Sequence, residues 1–217
     1  MLHAHEGSAL LTPLHPEGPT RAQGPDVIKL PAPETERGKP LMQALKDRQT
    51  SREFSDKKLP LHVLSNLLWA AFGVNRLQTG GRTAPSANQW HEMDVYVAMV
   101  DGLYLYDARS NVLKHVLTED IRIQTGFQWF VADAPVNLIY VADYSRMVEA
   151  EERDRILYSA ADAGFISQNV CLFCASEGLA TVVRGMVDRP ALAKLMKLRP
   201  SQHVILAQSV GYPAGTH

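Results

Sequence analysis

The chain of 217 residues contains only two cysteines, Cys171 and Cys174, so no disulfide framework is expected. Both cysteines lie in the stretch CLFC, in the middle of an apolar helical pattern. A redox-active CxxC pair normally opens a helix instead, because the helix dipole lowers the thiol pKa there. We therefore interpret the two cysteines as inert core thiols and expect a reducing compartment.

The sequence also lacks a long hydrophobic run and an excess of charge. No stretch approaches the roughly 20 apolar residues of a membrane span, and the N-terminus lacks the basic and apolar regions of a secretory signal. Because 22 basic side chains nearly balance 23 acidic ones, no global field attracts nucleic acid or an anionic membrane. We expect a cytoplasmic protein, although a leader removed earlier would leave no trace, and any anion site must be local.

Residues 1–39 are rich in proline, a composition that precludes a regular helix and favours an extended arm. Such an arm is either a disordered tail or a strap across the domain or across a second subunit, and the sequence leaves both open. His3, His5 and His15 in this arm lack metal-ligand spacing, so we predict no metal site. We assign residues 40–217 to one domain.

Hydrophobic periodicity predicts the secondary structure of this domain. Helices are expected at 41–47, in 59–73, at 151–177 and at 188–198, with Gly178 as a left-handed C-cap of the long helix. Strands are expected as a hairpin over 93–107 and at 111–117, 134–143, 179–185 and 202–213, whereas 77–92 reads as a loop. The pattern predicts one α+β domain, a mixed and mostly antiparallel sheet flanked by helices with a long central helix.

Three separated segments each combine a turn with an arginine. They are RQTSR at 48–52, RTAPSANQ at 82–89 and VVRGM at 182–186. Taken alone, the first is equally well explained as a solvated helix end. Arginine offers a planar donor fork that suits phosphates and heterocyclic carbonyls, and hydroxyls and loop amides complete the coordination of phosphate oxygens. Together the segments predict a site for an anionic, ring-bearing ligand.

The order of these motifs resembles the FMN-dependent nitroreductase superfamily over residues 40–213. The resemblance is carried by Arg-x-Ser/Thr-x-Arg/Lys-x-Phe after a helix, then LLWAAFG, APSANQ, ASEGL, RG after a strand, and GYP. It is particularly similar to the branch that includes the azoline-oxidising dehydrogenases of peptide biosynthesis. The expected fold of that superfamily agrees with the α+β domain predicted above.

The resemblance implies a first flavin-binding segment made of Arg48, Gln49, Thr50 and Arg52. Arg48 and Thr50 would approach the ribityl phosphate, and Arg52 would lie at the N1/O2 edge of the isoalloxazine ring. A cation at that edge stabilises the negative charge that accumulates on the reduced flavin.

The resemblance also implies a second segment, made of Pro85, Ser86 and Asn88, which comes from the partner subunit or packs near the ring. The backbone N–H of Gly185, which follows Arg184, would face flavin N5. A glycine suits that position because backbone must approach the ring closely.

Two features depart from the family pattern. In APSANQWHE, Trp90 follows Gln89 with no intervening proline, and the chain ends in GYPAGTH without the Lys or Arg that many members use to hold the phosphate. Phosphate binding would therefore rely on Arg48, with help from Arg82.

The implied activity is a ping-pong reaction in which NADH or NADPH delivers hydride to FMN and a nitroaromatic or quinone-like acceptor, small, planar and electron-poor, is then reduced. The family forms homodimers with FMN at the interface, and the small residues of 159–164 fit a helix contact either between or within subunits. Phe127, Trp129 and Phe130 would cover the flavin or belong to the core. Two alternatives stay open, namely a flavin dehydrogenase that passes electrons to another acceptor and a non-catalytic flavin-binding or interaction protein.

Overall fold

The computed structural model describes residues 26–215 and contains a seven-stranded sheet covered by helices. The helices are α1 (Leu41–Asp47), α2 (Leu61–Phe72), α3 (Glu152–Glu177) and α4 (Arg189–Leu195). The strands are β1 (Val27–Lys29), β2 (Val74–Arg76), β3 (Gly81–Arg82), β4 (Met93–Met99), β5 (Gly102–Asp107), β6 (Val112–Leu117), β7 (Val136–Asp143), β8 (Ala180–Arg184) and β9 (Gln202–Gly211).

The large sheet has the strand order β1-β6-β5-β4-β7-β9-β8, and every strand pair in the described part of the chain is antiparallel. The predicted β4–β5 hairpin is present; its turn lies at Val100 and Asp101, and Gly102 is the first residue of β5. Gly102 has a φ of 138°, and a Cβ there would lie 2.3 Å from the carbonyl oxygen of Leu117. Only glycine fits this position, for both conformational and steric reasons.

The central strand β7 supplies residues to two hydrophobic clusters, because side chains alternate across a strand. Leu138 and Tyr140 pack in the cluster that includes α2 and α3, whereas Ile139 and Val141 pack in the cluster that includes α4. All eight residues of β7 are buried. The expected α+β fold, with helices flanking an antiparallel sheet and one long central helix, is confirmed.

The ends of the helices follow the local sequence. Asp188 caps α4 by accepting a hydrogen bond from the backbone N–H of Ala191, and Pro190 occupies the first turn. The long helix α3 ends at Gly178, which has a φ of 71° and forms the predicted left-handed cap.

Three short strands, β1, β2 and β3, were not predicted. β1 lies within the proline-rich region and pairs with β6 to form one edge of the sheet, and the segment after it stays on the domain surface, where Lys39 donates its backbone N–H to the Ser176 hydroxyl. The predicted loop 77–92 contains β3, which pairs with β2. Such short strands carry no measurable periodicity and depend on the partner strand. His3, His5 and His15 lie outside the described residues, as does most of the arm.

Across residues 26–215, no helix combines the length and the apolar character needed to cross a membrane.

Candidate functional site

The segment that follows α1 is held in an extended conformation against two strands. The backbone N–H of Ser51 donates to the carbonyl oxygen of Thr181 in β8 at 3.0 Å. Phe54 forms a β-bridge with Pro213, and Ser55 donates to the carbonyl oxygen of Tyr212 at 2.9 Å. These contacts fix residues 48–55 along the sheet edge formed by β8 and the end of β9.

A cleft of about 490 Å³ opens beside this segment. One wall comes from α1 and the residues next to it, and the other comes from the end of α3, from 178–181 and from the C-terminal region. Its lining includes Lys39, Lys46, Asp47, Arg48, Gln49, Ser51, Cys174, Thr181 and Pro213.

The cleft carries more positive than negative charge. Lys39 pairs with Asp47 at 2.8 Å, and this hydrogen bond lowers the pKa of the Asp47 carboxyl group. Within residues 26–215, neither Lys46 nor Arg48 forms a salt bridge. Two cations are therefore left to attract an anion into the cleft.

Gln49 lies in the cleft wall together with Arg48, whereas Thr50 and Arg52 are exposed on the same segment. Ser51 lines the cleft as well, so residues 48, 49 and 51 face it and residues 50 and 52 do not. The structure thus brings the first predicted segment to the rim of one cleft. Lys39 and Lys46 were not predicted; their only sequence signal was their position before α1 and in its last turn.

β8 leads from this cleft to Gly185. Gly185 lies four residues after Thr181, which corresponds to roughly 13 Å along an extended strand. Gly185 is exposed, and a Cβ there would meet only a methyl group of Leu206 at 3.8 Å. In the described part of the chain, no atom lies close enough to a Cβ at this position to require glycine. The space on that side of the Gly185 backbone is therefore open.

The side chain of Arg184 turns into the protein instead of into the cleft. It is 3% exposed and donates to the carbonyl oxygen of Thr125 at 2.5 Å, to the Thr125 hydroxyl at 3.1 Å and to Oδ1 of Asn137 at 2.8 Å. Burial lowers the pKa of Arg184 to about 10. The guanidinium group of Arg184 stabilises the segment after β6. Only the backbone of Arg184 is therefore left next to the predicted site.

The three aromatic residues near this end of β8 differ in environment. Phe130 is buried against Phe54, with ring centroids 6.1 Å apart. Phe127 and Trp129 are exposed by 68% and 74%, and the backbone N–H of Phe127 donates to the carbonyl oxygen of Met186 at 3.4 Å. Phe130 is therefore a core residue, and the other two rings are available near Gly185.

The second predicted segment lies against the first half of α3. The backbone N–H of Ala87 donates to Oδ2 of Asp162 at 3.4 Å. Asp162 precedes Cys174, which lines the cleft, by 12 residues, or roughly 18 Å along the helix. Pro85, Ser86 and Asn88 are therefore not brought to Arg48 within one chain.

Arg82 does not line the cleft of its own chain either. It donates to the carbonyl oxygen of Phe72 at 3.0 Å and lies over the Phe72 ring, 4.8 Å from its centroid. The expectation that Arg82 helps to hold a phosphate beside Arg48 is not met within a single chain.

The two cysteines lie near the cleft floor, Cys174 buried and Cys171 half-buried. Burial raises the pKa of both thiols. Both therefore stay protonated at neutral pH, as expected of core thiols.

Comparison with known proteins places this arrangement in a family. The Nitroreductase family model matches residues 45–212. A crystal structure of a candidate nitroreductase from Ralstonia eutropha is 46% identical, with a TM-score of 0.85 over 88% of this chain and 91% of that chain. A candidate nitroreductase of Methanocaldococcus jannaschii is 29% identical over 86% of this chain and 97% of its own length.

More distant solved structures share the fold. The Escherichia coli microcin synthetase McbBCD complex gives a TM-score of 0.65 at 18% identity, over 90% of this chain and 77% of that chain. The Vibrio harveyi NADPH:FMN oxidoreductase gives a TM-score of 0.61 at 18% identity, over 80% and 69%. With the family model covering most of the chain, the conclusion is that this protein belongs to the nitroreductase family and is an oxidoreductase of that family.

Proposed function

We propose that the chain binds FMN with its phosphate in the basic cleft and its ring near Gly185. The observation that carries the proposal is the fixed position of residues 48–52 along β8, which places Arg48 and Gln49 at the cleft and Gly185 at the other end of the same strand. An elongated anionic cofactor suits a site with cations at one end and open backbone roughly 13 Å away.

The residues present fit the phosphate group of such a cofactor. In the described chain, neither Arg48 nor Lys46 pairs with a carboxylate. Lys39 also lines the cleft, although it pairs with Asp47. These three cations are the basic groups that the cleft offers to a phosphate. Thr50 supplies a hydroxyl beside them, and Arg52 on the outer side would approach the ring.

FMN, when bound, supplies a hydride acceptor at N5. The backbone of Gly185 would lie against that part of the ring, since among residues 26–215 only a methyl group of Leu206 approaches a Cβ placed there. Phe127, whose backbone donates to Met186, and Trp129, two residues further on, are both exposed and would stack on a planar acceptor and exclude water from it. We infer NAD(P)H-driven reduction of nitroaromatic or quinone-like acceptors.

A homodimer would complete the site. Tyr158 and Phe165 lie two turns apart on one side of α3 and are 38% and 47% exposed, and the neighbouring Leu157 is 59% exposed, which leaves an apolar strip on the longest helix. The second segment lies roughly 18 Å from the cleft of its own chain. A partner that covers α3 would bury this surface and could bring its own Ser86 and Asn88 to the flavin.

Anaerobic reduction of the flavin tests the activity. The protein is loaded with FMN, freed of excess cofactor and titrated with NADH and with NADPH while the visible flavin band is followed. Bleaching, followed by reoxidation with a quinone, is the expected result. Bound flavin that neither nucleotide bleaches would contradict the reductase and favour a dehydrogenase that uses another donor.

A further inference from the structure

A pair of buried carboxyl groups lies beneath the segment that carries Pro85 and Ser86. Glu92 precedes β4 and is fully buried, and Asp162 on α3 is 2% exposed. The two side chains are within hydrogen-bonding reach of each other. Neither belongs to any ion pair within residues 26–215.

Two ionised carboxylates are unfavourable in this environment. The Ser86 hydroxyl donates to Oε2 of Glu92 at 3.2 Å, and Ala87 donates a long hydrogen bond of 3.4 Å to Oδ2 of Asp162. Oε1 of Glu92 is buried and accepts no hydrogen bond from the described residues. Burial and the neighbouring carboxylate both favour the neutral acid, which turns one oxygen from an acceptor into a donor.

The cations nearby are engaged elsewhere. Arg146 pairs with Asp94 and donates to the backbone carbonyl oxygens of His91 and Glu92. His91 is adjacent, but burial and the charges of Arg82, Arg109 and Arg146 lower its pKa, so it is neutral at physiological pH. Within residues 26–215, therefore, no cation forms an ion pair that would offset the charge of Glu92 and Asp162 if both were ionised.

The segment above the pair needs these anchors because its backbone is strained. Asn88, Gln89 and His91 have φ values of 48°, 55° and 47°, in the left-handed region that is unfavourable for residues other than glycine. The Ser86 hydroxyl also accepts a hydrogen bond from the backbone N–H of His91 at 2.9 Å. Ser86 thus links the strained backbone directly to Glu92.

We propose that Glu92 and Asp162 share one proton, and that this hydrogen bond makes Glu92 a positioning residue that holds segment 85–91 in its binding conformation. The role toward the cofactor rests on the proposed function, in which this segment contacts FMN. When the shared proton is lost, two adjacent negative charges repel each other and release Ser86 and Ala87 from their anchors.

The direction of the pH effect follows from the raised pKa values. Burial and Asp162 raise the pKa of Glu92 from its ordinary value of 4.5 to about 7, and burial raises that of Asp162. The folded protein therefore holds a proton that the unfolded chain has already released. Its stability decreases as the pH rises from about 4.5 to about 7.

The shared proton is tested on the cofactor-free protein. Chemical denaturation at about pH 5 and about pH 8 compares the wild type with Glu92→Gln, which keeps the shape and stays neutral, and with Glu119→Gln, an exposed control. We expect the wild type and the control to lose stability at the higher pH, and Glu92→Gln to lose much less. Asp162→Asn removes the neighbouring charge but leaves Glu92 buried, so its loss should lie between those of the wild type and Glu92→Gln; equal losses in all four proteins would overturn the proposal.

The positioning role is tested by FMN affinity as a function of pH. Above about pH 7, the dissociation constant of the wild type should rise by up to roughly tenfold per pH unit, whereas that of Glu92→Gln should stay nearly constant. The same pH profile in both proteins would exclude the positioning role. If no variant binds FMN at any pH, the proposed function fails, and the denaturation experiment alone still decides whether the proton is shared.

Discussion

The backbone N–H of Ser51 donates to the carbonyl oxygen of Thr181 at 3.0 Å. This hydrogen bond holds the segment after α1 against β8, the strand that precedes Gly185. The same hydrogen bond fixes the position of the cleft cations relative to the exposed backbone of Gly185. The proposed cofactor site depends on this relationship, because neither element alone presents both an anion site and room for a ring.

Replacement of Arg48 by alanine should weaken FMN binding by roughly 10- to 100-fold, the effect of removing one charge-assisted hydrogen bond. Flavin fluorescence during titration of the apoprotein measures the dissociation constant. Lys114→Ala, which removes a positive charge on β6 that pairs with Asp107, is the control and should bind like the wild type. Equal affinity of Arg48→Ala and the wild type would remove Arg48 from the site.

Two arginines next to the proposed ring should respond in opposite ways. Arg184→Met leaves Asn137 and Thr125 without their buried donor, so it should lower the free energy of unfolding by about 2–4 kcal/mol. Arg52→Met, at an exposed position, should leave stability nearly unchanged but weaken FMN binding. Denaturation curves and flavin titrations of both variants measure the difference, and a stable Arg184→Met protein would contradict the structural role.

The exposed apolar surface of α3 should be the dimer contact. Phe165→Glu places a charge in that surface, so it should convert the dimer into monomers and reduce FMN affinity at the same time. Sedimentation velocity reports the association state. Val148→Glu changes another exposed apolar residue, in the segment before α3, and should remain dimeric; a dimeric Phe165→Glu protein would place the contact elsewhere.

The thiol of Cys174 should be inert in the folded protein. It is fully buried, and burial raises its pKa, so little thiolate is present even in mildly alkaline solution. A thiol-specific reagent should label Cys174 only after unfolding, with mass spectrometry to locate the label. Rapid labelling of the native protein at this residue would argue against a core thiol.

Much of the fold could be predicted because its elements are long or well punctuated. The eight buried residues of β7, the hairpin at Gly102 and the cap at Gly178 each leave a strong local pattern. β1, β2 and β3 could not be predicted, since strands of two or three residues form only where a partner strand offers hydrogen bonds.

The candidate site was only partly predictable for a related reason. The segment containing Arg48 carries a motif that can be recognised. Lys39, in contrast, reaches the cleft only because of the path that the chain takes before α1. Glu92 and Asp162 are 70 residues apart and meet only in the folded protein, so no local pattern marks them. The inward turn of Arg184 depends on Thr125 and Asn137, which lie on other elements.

The central claim is that the basic cleft and β8 form an FMN site, and the most direct measurement is the stoichiometry of FMN binding to the purified apoprotein. Titration calorimetry of the wild type and Arg48→Ala, each checked for its association state, provides it. The account predicts saturation at one FMN per chain in the wild-type dimer and much weaker binding by the variant. A folded, dimeric wild-type protein that binds no FMN would contradict it.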